Sequence, residues 1–368
     1  MKILITGAKG FIGKNLCAFL KNEGYSELML FDKDNTLSEL KNYTAECDFI
    51  FHLAGINRPA DNSEFYSGNG TLTETLCGYL EQAGNKCPVV ITSSVQAELG
   101  NDYGTSKRIA ENHIKNLSEK NGNPVYIYRL PNVFGKWCRP NYNSAVATFC
   151  HNAANGLPLK INDPAAPITL VYIDDLAEEF TDIIKGNKII EKGPLSPSIT
   201  HTVGVLADTI LSFAEERKDF FLPELKTGSL EKKLYSTYLS YLPENALSYP
   251  LVSHCDSRGS FTEFLKTPSY GQVSVNLSKP GIVKGNHWHN TKVEKFLVVY
   301  GSGIIRFRKI GETKVTEYRV SGEKLEVVDI PAGYTHNIEN TGDTDMVTIM
   351  WANETFMKDK PDTFYEEV

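Results

Sequence analysis

The octapeptide Thr6-Gly7-Ala8-Lys9-Gly10-Phe11-Ile12-Gly13 restricts what this chain can fold into more than any other stretch. It follows an apolar run and opens an amphipathic one. Glycines at i, i+3 and i+6 permit a tight turn, close approach of the backbone to a pyrophosphate, and close packing of the next helix on the strand. The N-terminus of that helix would then face the phosphates. Such a turn belongs between the first strand and first helix of a βαβ unit. Met1-Lys2-Ile3-Leu4-Ile5 has the look of a signal-peptide start, but the glycine turn cuts in before a long apolar region forms, so it reads as a strand.

The first half keeps the same alternation. β-rich apolar runs at 2–6, 27–31, 48–53, 88–92 and 124–128 are separated by helix-like stretches at 13–23, 71–83 and 103–120. This predicts an α/β Rossmann-like fold, a doubly wound parallel sheet with helices on both faces. From about residue 250 the texture changes to short runs (272–277, 294–300, 303–308, 325–330, 346–351) divided by Gly, Pro and Asn turns, which predicts an antiparallel sandwich or barrel. The proline-bearing stretch 240–252 lies at the switch, giving expected domains of 1–245 and 246–368.

Composition narrows the partners. The 368 residues carry a net charge of −7, which argues against nucleic acid or an anionic membrane as the main partner, since both need a basic footprint. No apolar run reaches the roughly 18 residues of a membrane span. The seven cysteines are scattered and include no C-x-x-C pair, which suits free thiols in a reducing cytoplasm.

Two further features of the first half carry chemistry. Asp32 ends the second predicted strand about 20 residues after the glycine turn, where an acid would bind a ribose hydroxyl. Lys33 beside it and Lys9 in the turn are cations that could answer a 2′-phosphate. The acid favours NAD and the lysines favour NADP, and the residues alone leave both open. Tyr103 and Lys107 stand one helical turn apart on one face, so the ammonium is expected to lower the phenol's pKa toward acid–base range. Upstream, Thr92, Ser93 and Ser94 close an apolar strand, and any of these hydroxyls could hydrogen-bond a substrate carbonyl.

Together with Asp48-Phe-Ile-Phe-His-Leu-Ala-Gly55, Arg129-Leu-Pro-Asn-Val-Phe-Gly135 and Val171-Tyr-Ile-Asp-Asp175, these residues resemble the nucleotide-sugar branch of the extended short-chain dehydrogenase/reductase family over residues 1–240. The resemblance implies that Tyr103 donates a proton, Lys107 holds the nicotinamide ribose, and Ser94 orients the carbonyl. It places the cofactor along Gly7, Lys9, Gly10, Phe11, Ile12, Gly13 and the Leu53-Ala54-Gly55 segment. It also puts the sugar nucleotide near Arg129, Asn132 and the loop Trp137–Ser144, with Asn141 and Tyr142.

In the second half, Gly281, His287, His289, Glu294 and Gly301 stand in the spacing G-x5-H-x-H-x4-E-x6-G, and Pro331-x-Gly333-x-x-His336 adds another imidazole. His287 and His289 share a face if they lie on a strand. Three imidazoles and a carboxylate suit a borderline divalent metal such as zinc. The two motifs resemble the cupin superfamily, implying an all-β cupin barrel over 250–368. A finer resemblance is to the cupins that epimerise sugar nucleotides. It rests on Asp256-Ser-Arg-Gly-Ser-Phe-Thr-Glu263 and on 272–287, and makes Arg258, Glu263 and Lys284 substrate-binding candidates. In those enzymes the residue at His287 is a metal-free base. His287 is thus claimed as base and as ligand, yet a ligated imidazole has no free lone pair. The ligand reading accounts for the whole cage, which leaves Glu263, Lys295 or a tyrosine as base.

A reductase followed by a cupin resembles the bifunctional enzymes of capsular polysaccharide synthesis. That resemblance implies epimerisation of C3 of a UDP-2-acetamido-2,6-dideoxy-4-hexulose, then NADPH reduction at C4, with zinc and a homodimer. The rival expectations are a reductase whose cupin only dimerises, and a sugar-nucleotide sensor.

Overall fold

The computed structural model describes residues 1–59, 61–186 and 198–368. They form two compact units: Met1–Ile210 with Lys233–Leu242, and Leu211–Lys232 with Pro243–Val368.

The first unit opens with β1 (Ile3–Thr6), α1 (Phe11–Asn22), β2 (Leu28–Phe31), α2 (Leu37–Glu46) and β3 (Phe49–His52). A one-turn α3 (Ser63–Phe65) leads through a π-helical stretch, Tyr66–Thr71, into α4 (Leu72–Ala83), followed by β4 (Val89–Ser94), α5 (Asp102–Asn121) and β5 (Val125–Leu130). The five strands pair in parallel in the order β2-β1-β3-β4-β5. β1, β3 and β4 are buried along their whole length, as a parallel sheet covered on both faces requires. The period of two sorts their side chains. Ile3, Ile5, Phe49 and Phe51 join Leu16 and Leu20 of α1 in one core, while Leu4 and Ile50 join Leu40, Leu76 and Ile114 in another.

The unit continues with β6 (Asn132–Phe134), α6 (Ala145–Ala154), β7 (Pro167–Tyr172), α7 (Ile173–Ile184) and β8 (Ile199–Thr202), whose strands form a small second sheet. α8 (Val203–Lys218) and α9 (Leu230–Leu239) follow. Strand order reverses where β1 meets β3, which places the cleft at the C-terminal ends of these strands.

Apart from the residues of α8 and α9 that group with it, the second unit is built of strands. β9 (Ser253–Asp256), β10 (Gly259–Thr267), β11 (Gly271–Ser278), β12 (Val283–Trp288) and β13 (Glu294–Tyr300) come first. β14 (Ser302–Lys309), β15 (Val315–Ser321), β16 (Val327–Ile330), β17 (Tyr334–Asn340), β18 (Met346–Ala352) and β19 (Phe364–Tyr365) complete it. They make two antiparallel sheets, β16-β13-β18-β11-β10-β9 and β15-β14-β17-β12-β19. Phe296, Val298, Val328, Ile330 and Met346 of the first sheet share a core with Ile305, Val320 and Ile338 of the second.

The division at Leu242/Pro243 falls near the composition switch, but Leu211–Lys232 groups with the all-β unit. Backbone pairing explains this. Leu222 donates to the Lys266 carbonyl and Lys266 donates to Phe220, at 2.8 and 2.9 Å, extending the sheet edge along β10. Among the described residues no helix is long and apolar enough to cross a membrane.

Candidate functional site

A cavity of about 540 Å³ lies over the strand ends of the first unit. The turn Gly7–Gly10 closes by a Gly10 N–H to Gly7 carbonyl bond of 3.0 Å. Gly10 caps α1 without any side-chain hydrogen bond, and no acid stands in the first turn. The free N–H groups of that helix start are those an anionic group needs. Gly7 has φ +68°, and a Cβ on Gly13 would lie 2.2 Å from the Gly7 carbonyl oxygen. Gly13→Ala should therefore remove about 1–3 kcal/mol of stability and abolish dinucleotide binding, measured by denaturant midpoint and by titration with reduced nicotinamide dinucleotides. Unchanged titration would refute the turn as the cofactor's cradle.

Gly7, Lys9, Gly10, Phe11, Ile12, Gly13, Leu53 and Gly55 line the cavity; Ala54, Asp32 and Lys33 do not. The Asp32 carboxylate accepts the backbone N–H of Lys9 at 2.7 Å and of Lys33 at 2.9 Å, so it braces the turn. The Lys9 ammonium pairs with Asp34. His52 went unnoticed in the sequence although it sits inside a quoted motif. It is buried between Thr6 Oγ1 (2.7 Å) and Thr73 Oγ1 (2.8 Å), and Thr6 Oγ1 also accepts the Ala54 N–H. Burial pushes the His52 imidazole down to about 3, so it stays neutral and ties β1 to the 53–55 segment.

Ser94, Tyr103 and Lys107 all line this cavity. Asn101 caps α5 by accepting the Gly104 N–H at 2.6 Å, which sets Tyr103 in the first turn. The ammonium of Lys107, a buried residue, donates to the Thr92 carbonyl at 3.2 Å. Burial pushes it down to about 8 against the pull of Glu111. Tyr103 departs from expectation: burial raises its pKa, a hydrogen bond with Ser94 opposes the rise, and Lys107 does not lower it. The ammonium is turned to the Thr92 carbonyl, and desolvation governs the phenol. Of the three strand-end hydroxyls, Ser94 is the one bonded to Tyr103, whereas Ser93 Oγ donates to Glu111 at 2.6 Å.

Arg129 lies in an ion-pair network. Its guanidinium forks onto Glu111 at 2.9 and 2.7 Å and reaches Glu98 at 2.9 Å, and it does not line the cavity. A buried carboxylate on α5 needs that cation, and Arg129 so joins β5 to α5. Asn132, Trp137 and Tyr142 line the cavity, and Asn141 does not. Asn141 and Trp137 both have positive φ, 55° and 66°.

The second unit holds a cavity of about 650 Å³ lined by Arg258, Glu263, Lys284, His287, Glu294 and His336, among others. His287 pairs across the ladder with His336. Asn286 takes φ 58° and the register slips between Gly285 and His287, a bulge that re-aims the imidazole. One ligand atom from each of His287, His289, Glu294 and His336 lies within 4.8 Å of the others.

The donors fit a tetrahedral divalent metal on chemical grounds. His336 Nε2 is buried without a hydrogen-bond partner, although Glu294 Oε2 is only 3.1 Å away and His289 Nε2 lies 3.4 Å from the same oxygen. Burial and the neighbouring His336 push His287 down to about 4, leaving a neutral imidazole. Burial acts to raise Glu294, but the hydrogen bond with His289 and the close His336 imidazole prevail and hold it well below the carboxylate range.

The outer contacts were invisible in the sequence. His289 Nδ1 bonds to the Asp362 carbonyl, which directs Nε2 into the cluster. The Asp362 carboxylate accepts the N–H groups of Asn290, Thr291 and Lys292 at 2.8–2.9 Å. Arg258 pairs with Asp256, Glu263 with Lys266, and Lys284 donates to Asn276 and Leu277. As a base candidate Lys295 fails: it pairs with Asp329 outside the cavity. No tyrosine lines the cavity among the described residues.

Comparison with known proteins matches residues 3–189 to the NAD dependent epimerase/dehydratase family, and 254–364 to a polysaccharide biosynthesis C-terminal domain. A Pseudomonas aeruginosa protein, UDP-2-acetamido-2,6-beta-L-arabino-hexul-4-ose reductase, is 47% identical over 99% of this chain and 98% of its own. The crystal structure of the capsular polysaccharide assembling protein CapF from Staphylococcus aureus superposes with TM-score 0.93 at 50% identity, covering all of both chains. A Bacillus cereus UDP-glucuronic acid 4-epimerase, 20% identical, shares the fold over 66% of this chain and 98% of its own, with TM-score 0.54. The chain belongs to the NAD dependent epimerase/dehydratase family and, along its full length, to the same family as CapF.

Proposed function

We propose that the chain makes a capsule-type deoxysugar nucleotide in two steps. The all-β unit, read as a cupin, epimerises C3 of a UDP-2-acetamido-2,6-dideoxy-4-hexulose, and the first unit reduces C4 to give UDP-2-acetamido-2,6-dideoxy-L-talose. The observation that carries this reading is the presence, in one chain, of a Ser94–Tyr103–Lys107 cleft and a His/Glu cluster in a second cavity. A 4-ketosugar has what each needs: an acidic hydrogen beside the ketone and a carbonyl to reduce. Epimerisation comes first, because reduction removes the activating ketone.

In the cleft, Ser94 hydrogen-bonds the ketone oxygen and Tyr103 gives that oxygen its proton. The Lys107 ammonium holds the nicotinamide ribose and favours negative charge on the oxygen. A bound NADPH would supply the hydride to C4, with Lys9 or Lys33 answering its 2′-phosphate. In the second cavity His287, His289, Glu294 and His336 would hold zinc, which supplies Lewis acidity toward the ketone. Arg258 and Lys284 meet the diphosphate. Two chains pair as a homodimer in the cytoplasm.

The test is NMR of the 4-keto UDP-sugar with purified protein in D₂O. Without NADPH, deuterium should enter only at C3 with inversion; with NADPH, a C4 alcohol should follow. A C4 alcohol with no C3 exchange would overturn the epimerase half, and no conversion would overturn both.

A further inference from the structure

Among the described residues two lysines of the second cavity, Lys284 and Lys292, stand outside any ion pair, and Lys292 has the fewer hydrogen-bond acceptors. The residue is 8% exposed, it lines the cavity, and among the described residues the one hydrogen-bond acceptor of its ammonium is the neutral Thr363 hydroxyl at 3.0 Å. No ion pair holds it among the described residues. Arg258, by contrast, is 57% exposed and bound to Asp256, and Lys284 already donates to two oxygens. An ammonium has three donors, and a buried one short of acceptors is costly to the fold. Its place is also fixed. The Lys292 N–H is one of those clamped by Asp362, between His289 and Glu294 in sequence.

We infer that Lys292 binds the oxygen of the ligand that becomes negative, a carbonyl oxygen turning into an enolate. Thr363 occupies one donor and leaves two for the ligand. A diphosphate, carrying lasting charge, suits the exposed Arg258; a transient oxyanion gains most from a donor fixed in a dry site. This rests on the epimerase reading above. The C3–H bond breaks and its proton passes to a cavity carboxylate such as Glu263. The electron pair forms the C3–C4 double bond, and the C4 oxygen takes the charge while Lys292 donates a hydrogen bond without giving up its proton. A proton from solvent water, delivered to the other face of C3, restores the ketone, and the hydroxide left behind takes up the proton held by the carboxylate.

Lys292→Met keeps the length of the stem and removes the charge. In the full chain, C3 exchange in D₂O without NADPH should fall by roughly 10²–10³-fold, the loss typical of a removed oxyanion donor. UDP affinity, zinc content after reconstitution and NADPH-dependent reduction of an already epimerised substrate should stay within twofold. Thr363→Val, which only frees the ammonium to swing, should lower exchange by about tenfold with zinc content intact. Exchange within threefold of the native protein in Lys292→Met would overturn the inference. So would a loss that parallels UDP affinity, making Lys292 a diphosphate ligand, or one that parallels zinc content, making it structural. Absence of exchange in the native protein itself would instead overturn the epimerase reading, and this inference with it.

Discussion

Tyr103→Phe should reduce NADPH-dependent ketone reduction by about 10²–10⁴-fold, the range for losing a positioned general acid. Cofactor affinity should stay within twofold, because the glycine turn and Lys107 are untouched. The position of the phenol sharpens this expectation. Burial raises its pKa, so it is fully protonated at neutral pH and loses activity only as the medium turns alkaline. Ser94→Ala should have a smaller effect, since the phenol would still reach the oxygen. NADPH turnover followed by absorbance, with cofactor titration as the control, decides the matter. Turnover within tenfold of the native protein would remove Tyr103 as the donor.

Removal of one residue of the His/Glu cluster should have an equally large effect on the proposed epimerisation. In His336→Ala, zinc content after reconstitution should fall below a tenth of the native value. C3 exchange should drop further than the roughly 10–100-fold that follows loss of an outer partner alone. The His336 Nε2 atom is buried, lacks a hydrogen bond, and sits 3.1 Å from Glu294. Its loss leaves a three-ligand site. Reduction of an epimerised substrate should continue. Normal zinc content with lost exchange would make His336 something other than a ligand, and normal exchange would leave the cluster a structural feature.

How much of this could be read from the sequence varied with distance along the chain. The runs at 2–6, 27–31, 48–53, 88–92 and 124–128 each contain or overlap a strand of the parallel sheet, because strands buried on both faces are continuous apolar blocks. α2 went unseen, although the Thr36–Glu39 capping box announces it. β12 also escaped: its Gly285, Asn286 and His287 are chosen for a bulge and a cluster and have little strand propensity. The four cluster residues were legible because their spacing is local. The pairing of Arg129 with Glu111 was not legible, because that partner is on another element and a side chain's destination cannot be read from its own motif. Asp362 and Lys292 lie 70 positions apart and meet only once β19 returns to β12.

The pairing of Phe220–Leu222 with Lys266 sets a limit on dissection by truncation. A fragment beginning at 246 would follow the composition but expose an unpaired stretch of β10, the kind of bare edge that recruits other chains into aggregates. Loss of activity in such a fragment would report on a damaged sheet and not on whether the two proposed reactions need each other. Separating them calls for point substitutions in the intact protein, one cavity silenced at a time.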